Sequence, residues 1–291
     1  MADKIWFGFT TGSEKDYGIA ANWSPSGVPV SGDTVTIPSA SNDITASLSQ
    51  SAVLLTSFRI EAGYSGTIGV TAGNTSAAPS YLSIDTDACV INGEGTYYLA
   101  FDHASGTPDV EVISTGQANE GGAGCYLKGT GSIDELSILA GYVSIGVRPD
   151  ESLGFNDGPI TVLGGSLTIG AACNLSARTV HVHSGEVFLE DVNSLDAINV
   201  NGGECTLDGS GTCTTVAVRG TARFVHNTTG TVTTLTIDDG GTVDAMQTGL
   251  ARTVTNLDLS NGEILYDSNS YTVTNLTAQG KPISLTATQA L

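Results

Sequence analysis

Along the second half of the chain, apolar and polar residues follow one recurring phrase. Two apolar residues alternate with polar ones, a glycine follows, and two more apolar residues alternate after it. Ile160, Val162, Gly165, Leu167 and Ile169 form one copy. Val180, Val182, Gly185, Val187 and Leu189 form the next, and Ile198, Val200, Gly203, Cys205 and Leu207 the one after. Leu257, Leu259, Gly262, Ile264 and Tyr266 repeat it later. The period of two predicts short strands with one buried face, and the glycine predicts a corner between them.

The first apolar residue of each copy serves as an anchor. The anchors are Leu136, Ile160, Val180, Ile198, Val216, Leu235, Leu257 and Leu276, separated by 18 to 24 residues. Glycine follows five residues later at Gly141, Gly165, Gly185, Gly203, Gly240 and Gly262, and four later at Gly220 and Gly280. No single copy can bury its apolar row, so copies must stack. The expected fold is all-β: a right-handed parallel β-helix, or β-solenoid, of about 12 coils of roughly 20 residues, each with three short strands. Upstream the pattern is looser. Val35 with Ile37, Phe58 with Ile60, and Val110 with Val112 fit half of it, and residues 82–91 fit it with Asp87 in place of the glycine. A β-sandwich would not place glycine at so regular an offset. A propeller, at ~40 residues per blade, requires pairing the copies. Helix is disfavoured by the density of Gly, Ser and Thr and by the lack of three–four apolar spacing.

Residues 1–34 differ from the rest and are expected to cap the first coil or dock a partner, with residues 35–291 forming the solenoid. Both tryptophans lie in this segment. Trp6, Phe7, Phe9, Tyr17 and Trp23 are the candidate partner-binding residues, because large aromatics dominate interface energetics. An exposed coil end also needs covering, which gives the same residues a structural role.

Composition narrows the chemistry. The formal net charge is −20, with ten Lys and Arg in 291 residues. Nucleic-acid binding is not expected, since phosphate recognition needs clustered basic residues. No segment approaches the ~20 apolar residues of a membrane helix. Met1 to Gly8 has neither the basic nor the apolar region of a secretory leader, so synthesis in the cytoplasm is expected. Cys89, Cys125, Cys173, Cys205 and Cys213 form no CxxC pair. Cys89 and Cys205 occupy apolar positions of the phrase, so buried reduced thiols are expected.

No cofactor, metal or catalytic set is expected. His181 and His183 share one strand face, a spacing that suits two zinc ligands. Val180 and Val182 claim the core face, so the histidines are expected outside, on the surface or at an interface. His103 and His226 are isolated. Asp85 and Asp87 share a face, and Asp238 and Asp239 flank a glycine corner, where Asp suits turn geometry. Lyases and hydrolases on such folds need carboxylates converging with Arg or Lys across neighbouring coils. Only Arg219 and Arg223, near Asp238, come close to that.

The segment from Ala21, Asn22, Trp23 and Ser24 through Gly27, Val28 and Pro29 to Gly32, Asp33, Thr34, Val35 and Ile37 resembles a known opening. It is similar to the phrases that begin repeats in β-helical surface proteins of tailed bacteriophages and in bacterial autotransporter-type adhesins. The adhesins are exported and usually longer. The resemblance implies a virion component with a tailspike-like fold. At this length it implies a head decoration or cement protein on the capsid exterior, a homotrimer whose partner is the major capsid protein. The rival readings are a tailspike-like polysaccharide depolymerase and a glycan-binding adhesin.

Overall fold

The computed structural model describes residues 1–70, 78–102, 107–116, 124–247 and 249–279, together with the backbone of the strand Ser284–Ala287. His103 and Gly280 lie outside the described residues. The chain is an all-β parallel β-solenoid of about 11 turns with almost no helix, in agreement with the expected β-helix. It divides into two compact units, Met1–Gly146 with Asp150–Asp157, and Val147–Pro149 with Gly158–Leu291.

The anchors of the second unit fall into register. Ile160, Val180, Ile198, Val216, Leu235, Leu257 and Leu276 are successive Cα partners in parallel strands, which form an anchor sheet. The residues after each glycine corner form a return sheet. There Leu167, Val187, Cys205, Phe224, Val243 and Ile264 stack in the same way. The inward rows are closed to solvent: Val162, Val182, Val200, Leu167, Leu189 and Leu207 are 0 % exposed and Leu259 is 1 %. Alternation on a pleated strand puts every second side chain on one face, so one phrase per coil builds a continuous core.

From Leu195 onward the expected three strands per coil become two, because one strand covers two sides. Leu195 and Ile198 are both buried although three residues apart, and Asp196 between them is exposed. Val232 with Leu235 and Val254 with Leu257 repeat that spacing. The break in alternation bends the strand without ending it, as a bulge does. The short pair Ser132–Ile133 and Gly154–Phe155 in the first unit is a separate third-side sheet.

In the first unit the anchor sheet runs through Asp3–Trp6, Thr34–Ile37, Ser57–Ile60, Ala88–Asn92, Asp109–Ser114 and Leu136–Ile138. Its return sheet includes Leu82–Thr86, Thr96–Phe101, Cys125–Lys128 and Tyr142–Ile145. The phase of residues 82–91 is thereby corrected. Leu82–Thr86 is a return strand, and Cys89, not Leu82, stands in the anchor row between Phe58 and Val110. Without a glycine to mark the corner, Asp87 gives no sign of which side precedes it. All five cysteines are buried, and burial pushes the Cys89 thiol up to about 12.

Candidate functional site

The N-terminal segment joins the solenoid as sheet. Asp3–Trp6 pairs in parallel with Thr34–Ile37 and antiparallel with Trp23–Ser24. Trp6, Tyr17 and Trp23 pack against one another, with ring centroids 5.1 Å apart for the two tryptophans and 4.7 Å for Tyr17 and Trp23. Trp6 Nε1 donates to the Asn42 carbonyl and Trp23 Nε1 to the Tyr17 carbonyl, each at 2.9 Å. All three rings are 3 % exposed or less. They form a buried aromatic cluster beside the strands Asp3–Trp6 and Trp23–Ser24.

Phe7 and Phe9 stand apart from this cluster. Their rings stack at 4.8 Å and 9° from parallel, and Phe9 is 70 % exposed. Gly8 between them adopts φ +71, and a Cβ there would lie 2.2 Å from the Glu14 carbonyl oxygen. Phe7 N donates to the Asn22 carbonyl, and Asn42 Nδ2 donates to that of Gly8 at 2.7 Å. The pair is therefore an exposed aromatic surface on a tethered backbone.

The residues of the segment 21–37 have folding roles. Asn22 is buried; its Nδ2 donates to the Ser13 and Asp16 carbonyls, and its Oδ1 accepts from Thr10 N. Asp33 accepts from the backbone N–H groups of Ala2 and Val30. Burial alone would raise its carboxyl pKa, but those donors and nearby positive charge hold it below the ordinary value.

A second cluster, not foreseen from the sequence, lies on the outer face of the first unit's return sheet. Tyr98 and Tyr126 are Cα partners with rings stacked at 4.7 Å, and Tyr81 meets Tyr98 edge-on at 5.5 Å. The Lys128 ammonium sits 4.2 Å from the centre of the Tyr81 ring, and Tyr81 Oη donates to Glu151 Oε1 at 2.7 Å. Beside them Asp102 accepts from Ser83 Oγ and from Thr130 N. Asp85 follows Ile84 as Asp102 follows Phe101, and Ile84 and Phe101 are partners. Three tyrosines, Lys128 and Glu151 thus meet on this face, with Asp102 bonded to Ser83 and Thr130 nearby in the fold. The arrangement is covered: Tyr81 and Tyr98 are 8 % exposed, Asp85 4 % and Glu151 2 %. Asp87 lies exposed beyond the strand end, and does not share the Asp85 face.

The other candidate residues do not assemble. His181 and His183 stack on the outside at 6.4 Å, and burial together with His183 holds His181 below its usual pKa. Arg223 bridges Glu204 and Asp244, not Asp238. Asp239 adopts φ +50 at its corner, a turn role. Among the described residues no group of three or more His, Cys, Asp or Glu is gathered as a metal site would require. No family model, curated protein or solved structure matches the chain.

Proposed function

We propose that the protein is a structural component of a tailed-phage particle, a decoration or cement protein that binds the capsid surface and stabilises it by bridging capsid subunits. It works by adhesion, as a homotrimer on the capsid exterior. The observation that carries this reading is the exposed Phe7–Phe9 stack, held on a hydrogen-bonded backbone. A rigid aromatic pair loses little freedom on docking, and its burial supplies most of what a small anchor can contribute. The phage-like opening in residues 21–37 supports the same reading. The test is co-sedimentation of the purified protein with particles that lack it. Wild-type protein should bind, and Phe9→Ala should bind at least about tenfold more weakly with an unchanged fold. Equal binding by Phe9→Ala removes the pair from the docking surface. No binding by either protein removes the virion reading.

The tyrosine row favours a second reading, a glycan-binding adhesin, because sugar rings stack on aromatic faces. Tyr126 is its half-exposed member. Capsular polysaccharide that binds the wild type and not Tyr126→Ala would select this reading over the first.

A further inference from the structure

The two sheets of the second unit have outer faces of different character. On the return sheet the outward positions include Glu186, Glu190, Glu204, Asp208, Asp244 and Glu263, with Arg223 the counter-charge. On the anchor sheet the outward row is Thr179, Ala197, Thr215, Thr234, Asn256 and Asn275, all Cα partners in succession. The adjacent row runs from Thr161 through His181, Asn199, Ala217 and Thr236 to Asp258 and Thr277. Asp258 is the single acid of these two rows, and Asp196 and Asp238 lie beside them.

We infer that this threonine-rich anchor-sheet face is where copies of the chain associate. The inference rests on the proposed assembling role and names its self-contact surface. Charge supplies the first argument. Copies of a chain with net charge −20 repel one another over most approaches, and contact through this face costs less than contact through the acid-lined return sheet. The second argument is preorganisation. Threonine is β-branched and stiff, Asn275 Nδ2 donates to Asn256 Oδ1 at 2.9 Å, and Asn199 Nδ2 lies 3.5 Å from His181 Nδ1. Few rotamers are lost when such a face is covered. Size is the third. Seven strands at ~4.8 Å spacing, each with up to about five residues on this side of the bend at ~3.3 Å per residue, span roughly 29 by 16 Å, the larger part of the ~800 Å² that each partner commits in a standard interface.

Sedimentation velocity of the full chain, from about 1 to 100 µM, tests this. The wild type should associate. Thr234→Glu with Thr236→Glu should weaken association by about tenfold or more, while Thr206→Glu on the opposite sheet leaves it unchanged. A single cysteine at the Thr236 position should cross-link copies under oxidation and one at the Thr206 position should not, which keeps the test valid if the double variant fails to fold. A wild type that stays monomeric throughout overturns the inference. So does association that survives the double glutamate variant in a folded chain, or cross-linking through the Thr206 position alone. Particle binding is read separately through Phe9→Ala, so loss of docking with association intact counts against the virion reading and not against this face.

Discussion

His226 stands directly beside Leu207 in the inward row of the return sheet, so an imidazole fills a slot that leucine fills one coil earlier. The ring is 0 % exposed. Its Nδ1 lies 3.4 Å from Tyr271 Oη, and its Nε2 is buried without a hydrogen-bond partner. Burial, reinforced by the Arg252 charge, lowers its pKa to about 3.

That placement makes the fold sensitive to acid. Between the ordinary histidine value near 6.5 and about 3, the unfolded chain binds a proton at this position and the folded chain does not. Stability from this group is fully present above pH ~6.5 and is lost as pH falls through that window. Thermal melts from pH 7 to pH 4 should show a falling midpoint in the wild type and a smaller fall in His226→Leu. Parallel declines in both proteins would refute a role for the imidazole.

Arg252 is also interior, 1 % exposed, and its guanidinium donates to the backbone carbonyls of His226, Leu250 and Gln247. Arg252→Met keeps much of the bulk and strands those acceptors, each at a cost of about 1–3 kcal/mol. Arg252→Lys should also destabilise, since an ammonium cannot reproduce the planar fork. Urea midpoints check both, and a lysine variant as stable as the wild type would show that charge alone suffices.

Val200 lies between Val182 and Val218 in the anchor sheet, with no exposed surface. Val200→Asp should abolish the cooperative fold, because it buries a carboxylate among valines. Circular dichroism of a soluble, fully folded variant would mean that the register is different.

The N-terminal aromatics should divide by role. Trp23→Ala is expected to cost about 3–5 kcal/mol, as a buried tryptophan does, and Phe9→Ala about 0.5 kcal/mol or less. Chemical denaturation measures the difference. Deleting residues 1–10 does not separate docking from folding, because it removes Trp6 with Phe9.

The solenoid core was legible because glycine and alternation mark the phase of each coil. Where the marker shifts, the reading weakens. Phe224 follows Gly220 by four residues, whereas Cys205 follows Gly203 by two, so the aligned place of His226 beside Leu207 is hidden by a longer corner at Ala222. The tyrosine cluster escaped for the same reason, since residues 82–91 carry no glycine to separate return strand from anchor strand. Glu151 joins Tyr81 across 70 positions of sequence, a meeting that no local pattern encodes. The bent strands were missed because a three-residue apolar interval reads as an interruption until both flanking residues prove buried. Trp6, Tyr17 and Trp23 were recognisable as special, but sequence alone left capping and docking open, since both uses favour the same residue types.

The corner glycines also bear on how such a chain can lengthen. Gly185 has φ +82, and a Cβ on it would lie 2.2 Å from the Gly165 carbonyl oxygen; on Gly203 it would lie 2.2 Å from that of Gly185. At these two corners the turn below dictates the residue allowed above it. Gly185→Ala should therefore lower stability by about 2 kcal/mol or more, by strain and by collision, and a thermal midpoint equal to that of the wild type would count against so close a stack. A duplicated segment can enter this part of the chain only as a whole turn with its glycine in phase, so inheritance here proceeds in units of one coil.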